Sequence, residues 1–398
     1  MFVVYFAMDG AQRDIHVPNP LPKAGGLMNP MTNAHRLYSE FKQSVWLDYF
    51  DPNLLNNGGL DALMLDGVRG AINNPMVFRD TISDGSTYDE TIVDLVQSDA
   101  TIDNETLYQW IITNYAIAAA DILKPVYESS GGNDGFVNVE LSAHLAYDTQ
   151  ATIEAARHLW KRIKRKNLMI KVPATKQGID ALETLIAEGI NVDMTQLYFL
   201  EDYKNVARSY LRGLARNPDP LQVRSVASYY LDSLDKVIDS ELEQLGISEV
   251  QVIKGKAAVS GARIAYEYYQ QLLQSDEFKT QQQRGACMQR LLWADTSPSN
   301  AQYEETYYVE QLIGSDTISA MKPDTFDAFI LNGDLLHTLD NDIEAAKRIP
   351  QVLESLEIDL PTVTAQLQEQ GVEQLSDAHR LIFAALDKKR LRLAKEYA

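Results

Sequence analysis

Residues 168–175 read Leu-Met-Ile-Lys-Val-Pro-Ala-Thr, a run apolar enough to form a fully buried strand, with one lysine, Lys171, in its middle. Alternation along a strand sets Ile170 and Val172 on one face and Met169, Lys171 and Pro173 on the other, so the lysine points where Met169 points. An ammonium withdrawn from water loses hydration that only its charged form needs. Its pKa is expected to fall, leaving a neutral amine able to attack a carbonyl and form a Schiff base. The other reading of the same residue is a structural lysine paired with a nearby carboxylate.

Seven further short apolar segments lie on either side, near residues 45–50, 67–73, 135–142, 190–197, 223–231, 287–295 and 317–321. Amphipathic stretches fall between most of them. The one from Thr149 carries Ile153, Ala156, Trp160 and Ile163 on one face, and the one from Glu201 carries Tyr203, Val206, Tyr210 and Leu214 likewise, the period of helices laid on a sheet. Eight strands separated by helices predict an α/β fold of the (β/α)8 TIM barrel type. A doubly wound sheet would more often show a glycine-rich turn after its first strand, and no G-x-G-x-x-G occurs. The expected organisation is a loose N-terminal extension (1–32) rich in Gly, Pro and Asn, a catalytic barrel (33–333), and a helical C-terminal segment (334–398) ending in the basic run 388–392.

Composition narrows the partners. The 398 residues carry a net charge of −20 and 45% hydrophobic side chains. Such a surface repels nucleic acid and anionic lipid, so neither is an expected partner. Cys287 is the single cysteine, which excludes an internal disulfide and a cysteine-based zinc cluster and suits a reducing cytoplasm; its place in an apolar segment suggests packing. The apolar start Met1 to Met8 lacks a basic flank and is cut short by Asp9 and Gly10, so no targeting is expected; Met28 and Met31 read as alternative starts. The sequence leaves the oligomeric state open.

The strands carry polar residues on one phase. Asn138, Glu140 and Ser142 alternate with Val137, Val139 and Leu141; Asn191, Asp193 and Thr195 alternate with Ile190, Val192 and Met194. Asp48 lies between Trp46 and Phe50, Asn74 precedes Pro75, Ser228 sits in the sixth strand and Asp295 ends the seventh. A barrel turns one face of every strand to its axis and gathers the C-terminal ends around one pocket, so these side chains should converge on Lys171. Asp48, Glu140, Asp193 and Asp295 are also hard oxygen donors of the kind a divalent metal takes, but Lys171 among them opposes a cation, so no metal is expected.

The chain resembles the transaldolases of the long bacterial subfamily, from about Phe41 to the C-terminal helices. The segments that carry the likeness are QSVWLDY (43–49), NLMIKVPAT (167–175), AEGINVDMTQLY (187–198), SVASYYL (225–231), QRLLWADT (289–296) and YVEQLIG (308–314). The resemblance implies Lys171 as the Schiff-base lysine holding a dihydroxyacetone unit, and Asp48 as the acid/base that cleaves and remakes the carbon-carbon bond. It implies Glu140 and Thr195 as holders of the proton-shuttling water, and Asn74 and Ser228 as binders of donor hydroxyls. The implied activity is transfer between ketose and aldose, of the sedoheptulose 7-phosphate and glyceraldehyde 3-phosphate type in the pentose phosphate pathway, with no organic cofactor and a small-molecule sugar or other carbonyl compound as partner.

Departures from the family pattern bear on the substrate. Strand two offers Ile72-Asn73-Asn74-Pro75 without the usual threonine, and Asp193 stands where the family has asparagine. The family's phosphate-binding arginine falls at Ser233, and the serine and basic residue after strand seven fall at Asp295 and Ser299. A sugar phosphate carries close to two negative charges and is normally met by guanidinium or ammonium groups. Two lost cations and an added carboxylate oppose it, with Arg290 and Lys322 the nearby cations that could compensate; strand alternation puts Arg290 out of phase with Asp295. Three readings stand: a transaldolase with a rebuilt phosphate site, a divergent Schiff-base aldolase on a non-phosphorylated carbonyl substrate, and a non-catalytic barrel.

Overall fold

The computed structural model describes residues 31–50, 52–84, 86–246 and 252–396; the expected loose extension lies outside them except for Met31 and Thr32. Eight strands form one closed barrel in sequence order, every neighbouring pair parallel. They are β1 (Ser44–Leu47), β2 (Val68–Ile72), β3 (Val137–Glu140), β4 (Leu168–Pro173), β5 (Val192–Leu197), β6 (Ser225–Tyr230), β7 (Arg290–Ala294) and β8 (Ile318–Met321), with helices between them. The fold is the expected (β/α)8 barrel. Each strand is shorter than its apolar segment because the chain leaves the sheet before the hydrophobic pattern ends. Cys287 is a consequence: it precedes β7 in a loop, half-buried, with its sulfur 3.8 Å from Asn133 Oδ1, and is not a strand residue.

The alternation along the strands separates two cores. Val137, Val139, Ile170, Val172, Val192 and Met194 face outward into the layer shared with the helices. Trp46, Phe136, Met169, Val226, Leu292 and Ile318 fill the barrel axis. Gly70 makes room for the indole, since a Cβ there would stand 2.7 Å from the Trp46 ring. The helix Thr149–Ile163 begins at Asp148, whose carboxylate accepts from Ala151 N at 2.9 Å, and buries Ile153, Ala156, Leu159 and Ile163. In Leu200–Arg216 the stripe Tyr203, Val206, Tyr210 and Leu214 is fully buried, as its period predicts.

One end of the barrel is closed by a buried charge cluster. Asp134 accepts from Ser44 Oγ (2.9 Å), Trp46 Nε1 (3.1 Å), Arg69 Nε (2.8 Å) and Arg290 Nη1 (3.1 Å). Arg290 is thereby committed at the N-terminal end of β7, bonded also to Thr317 O at 2.8 Å, and does not compensate for the missing cations near Asp295. The correction has a simple cause: Arg290 opens the strand that Asp295 follows, a full strand length away.

The C-terminal segment folds as helices Ile343–Ser355 and Leu360–Glu396. The second, 37 residues long, packs on the Pro75–Asp84 helix that follows β2, on the turn after β3, on β5 and on the helix after β6, and so crosses the mouth at the strands' C-terminal ends. It is fastened by Lys389 and Arg392 to Asp89 (2.9 and 2.6 Å) and by Asn104 Nδ2 to Phe383 O (3.1 Å). Among the described residues no helix is long and apolar enough to cross a membrane.

Candidate active site

Parallel pairing sets Glu140 of β3 opposite Lys171 of β4, and Lys171 opposite Asp193 of β5, so three ionisable side chains occupy adjacent places in one row around the axis. Lys171 is 7% exposed, and its Nζ donates to Glu140 Oε2 at 2.8 Å and to the carbonyl of Asn73, just past β2, at 3.4 Å. Asp193 is buried with both oxygens occupied: Asn138 Nδ2 donates to Oδ2 and Ser228 Oγ to Oδ1, each at 2.6 Å. Asp48 lies just beyond β1, half-buried, in phase with the inward Trp46, and its charge is coupled to that of Lys171.

The electrostatics overturn one expectation. Burial pulls the Lys171 ammonium down, but Glu140, Asp193 and Asp48 and the hydrogen bond it donates to Glu140 outweigh it, so its pKa lies above the ordinary 10.5. A desolvated amine standing alone would have behaved as the isolated strand suggests; three carboxylates around it reverse the sign. Both readings of the residue meet here, since the lysine is paired and also reaches the cavity end of the strands. Burial raises Asp48 above the usual carboxylate range, with Lys171 and Lys322 opposing. Burial likewise pushes Asp193 up to about 6, against the pull of Lys171, Ser228 and Asn138.

Thr195 is buried on β5, and its Oγ1 has no hydrogen-bond partner among the described residues. A polar atom left so is a place for an ordered water or a substrate atom. Ser228 faces Asp193 from β6. Asn74 is half-buried one residue beyond the buried Asn73, so of the two asparagines it is Asn73 whose backbone meets the lysine.

Asp295 acts on Asp48 through its charge and so lies at the same mouth, but its carboxylate is engaged there by the chain itself. Its backbone is left-handed (φ 55°), and its carboxylate turns to the start of the Asp232–Leu245 helix, where Oδ2 accepts from Ser233 N at 2.8 Å and from Ser233 Oγ. Asp232 Oδ1 accepts from Ser299 N at 2.8 Å, tying the two loops together. Helix N-terminal amides attract anions, and here an internal carboxylate holds one of them. Lys322, at the end of β8, is exposed and acts on Asp48, so it stands on the correct face. Among the described residues no three His, Cys, Asp or Glu side chains are placed to hold one metal ion.

Several residues around this row escaped the sequence reading. Tyr230 follows Ser228 in phase and is coupled electrostatically to Glu140, Asp48 and Asp193, with its ring 5.7 Å from that of Tyr198; one step of alternation from Ser228 would have found it. Tyr108, from the Asn104–Ser129 helix, and His379, from the C-terminal helix, reach the same region from outside the barrel. Strand periodicity carries no signal for them.

Residues 45–386 match the profile of a family described as Transaldolase/Fructose-6-phosphate aldolase. The chain is similar to the transaldolase of Thiobacillus denitrificans, 36% identical over 89% of this chain and 99% of that protein. It is also similar to transaldolase 2 of Nostoc sp. PCC 7120, at 34% over 88% and 96%, and to the transaldolase of Mycobacterium ulcerans, at 34% over 88% and 96%.

Proposed function

We propose that this chain, which belongs to the Transaldolase/Fructose-6-phosphate aldolase family and is a transferase, moves a dihydroxyacetone unit from a ketose to an aldose through a Schiff base on Lys171. The observation that carries the reading is the row Glu140, Lys171, Asp193, in which Nζ sits 2.8 Å from a carboxylate able to take its proton. Glu140 removes a proton from Lys171, and the amine adds to the ketose carbonyl. Loss of water from the carbinolamine gives the protonated imine, the oxygen leaving with protons relayed by Glu140 and a water at Thr195 Oγ1. Asp48 then takes the proton of the hydroxyl on the fourth carbon; the bond between the third and fourth carbons breaks, its electrons enter the imine as an enamine, and an aldehyde departs. The enamine carbon attacks the acceptor aldehyde while Asp48 returns the proton, and water hydrolyses the imine. Burial raises Asp48, which favours its work as a base. Asn74 and Ser228 bind donor hydroxyls, and the single cysteine suits a cytoplasmic setting.

A second reading concerns the substrate's far end and is favoured by Asp295. With that carboxylate bonded to Ser233 N and Oγ at a helix N-terminus, a phosphate arriving there meets a charge of its own sign and an amide already engaged. Uncharged carbonyl substrates fit this loop better than sugar phosphates. Borohydride trapping with fructose 6-phosphate, fructose and dihydroxyacetone, followed by peptide mass mapping, tests both. Adducts on Lys171 only from the unphosphorylated compounds support the second reading, an adduct from fructose 6-phosphate at low concentration supports a rebuilt phosphate site, and none from any of the three counts against the Schiff base.

A further inference from the structure

The row Glu140, Lys171, Asp193 contains two carboxylates, and their surroundings differ. Glu140 accepts from Nζ directly, at 2.8 Å. Asp193, on the other side of the lysine in the strand register, stands where the family pattern has an uncharged asparagine. Its oxygens are both met by neutral donors, Asn138 Nδ2 of β3 on Oδ2 and Ser228 Oγ of β6 on Oδ1, each at 2.6 Å. Short bonds to both oxygens of a buried carboxylate favour its ionised form. The titratable groups that act on it from the packed strands are Lys171 of β4, Glu140 of β3 and Tyr230 of β6, and of these Lys171 is the cation. Burial lifts the carboxyl to about 6, with Lys171, Ser228 and Asn138 holding it down.

Asn138 is fully buried, two residues before Glu140 on the inward face of β3 and level with Met169 of β4. Its Oδ1 has no hydrogen-bond partner among the described residues. An apolar side chain would fill this place without that loss, since a carbonyl oxygen buried without a donor is a standing cost. What the amide offers in return is its other end, the Nδ2 that donates to Asp193.

We propose that Asp193 is the counter-charge of the protonated imine formed on Lys171, and that Asn138 is the positioning residue that keeps this carboxylate ionised and fixed in the row. The role rests on the Schiff-base reading above. When the ammonium condenses with a ketone, two of its three protons leave with the ketone oxygen as water and one stays on the iminium nitrogen. Glu140 relays those protons, and whenever it holds one its own charge is cancelled. Asp193, whose oxygens take no part in the relay, remains the negative charge beside the nitrogen.

The test uses the full chain with 13C-labelled aspartate carboxyls, titrated by NMR with the Asp193→Asn variant assigning the signal, beside cyanoborohydride trapping with dihydroxyacetone. Asn138→Leu should raise the Asp193 midpoint by about one pH unit, the worth of one hydrogen bond to a charged group, and lower the Lys171 adduct about threefold near pH 6.5 with recovery near pH 8.5. Asn138→Ser, which keeps a shorter donor, should shift both less, and it carries the same comparison where the leucine variant fails to fold. In the Asp193→Asn background, Asn138→Leu should leave the pH profile of the adduct unchanged. A fixed Asp193 midpoint beside a normal adduct, or an adduct loss equal at both pH values, overturns this inference alone and leaves Asn138 a packing residue. No adduct on Lys171 in the unsubstituted protein overturns the Schiff-base reading, and the counter-charge role with it.

Discussion

Lys171 and Glu140 stand opposite each other on adjacent strands, Nζ 2.8 Å from Oε2, each side chain 8% exposed. A buried pair of this kind stores a proton that can pass either way, and removing one member leaves the other charged and unpaired. Lys171→Met should therefore abolish every borohydride-trapped adduct and all turnover. It should also cost stability, about 3–5 kcal/mol at neutral pH by the usual cost of a broken buried pair. Urea unfolding at several pH values checks the second part: the deficit should shrink in acid, where carboxylates left without a counter-charge take up protons.

Asp48 is assigned to bond cleavage and not to imine formation. Asp48→Ala should leave the Lys171 adduct largely intact while lowering the aldol step by about 10²–10⁴-fold, the usual worth of a positioned general base. Single-turnover kinetics beside trapping separate the two; equal loss of both would refute the division.

Asp193 acts on the lysine through its charge. Asp193→Asn removes one of the three carboxylates that hold the ammonium up, so the pH at which Lys171 becomes reactive to an amine-directed reagent should move down. The same substitution bears on stability. The carboxyl's pKa is raised from 3.8 to about 6 in the fold, so its contribution is fully present below 3.8 and lost as pH rises through 6. Denaturation of the Asn variant should lack that part of the slope.

Asp295 and Ser233 decide the phosphate question. Asp295→Ser combined with Ser233→Arg frees the helix N-terminus and supplies a guanidinium, and affinity for fructose 6-phosphate, measured by calorimetry, should rise. Asp295→Ser alone should cost about 1 kcal/mol, the usual loss of a helix cap. No gain in affinity from the double variant would show that the substrate's end lies elsewhere.

Gly371 permits the close approach of the C-terminal helix to β5. Gly371→Val would drive a side chain into Gln196, so hydrogen exchange in residues 360–396 should rise while the barrel strands stay protected.

The barrel, its eight strands and the phase of β1, β3, β4 and β5 were legible from residue alternation. The inward face of β4 follows from Met169 and Lys171 alone, and the buried stripe Tyr203, Val206, Tyr210 and Leu214 follows from the helical period; in both the signal is local, repeating every two residues or about every three to four. The motifs around Lys171 identified the family for the same reason, because strand-end residues lie within short contiguous segments.

Only the tertiary structure decided what depends on groups far apart in the chain. The sequence presents Lys171 as a lone buried amine, whereas Glu140, Asp193 and Asp48, drawn around it by barrel closure, raise the ammonium's pKa. Arg290 and Asp295 are five residues apart, yet the strand between them carries one to the closed end and the other to a helix N-terminus. His379 and Tyr108 come from helices whose period reports which side is buried and not which cavity that side meets. Local pattern sets the direction of each side chain; the charge, partner and reach of that side chain are fixed by packing across the sequence, where Coulomb and hydrogen-bond energies act through space and not along the chain.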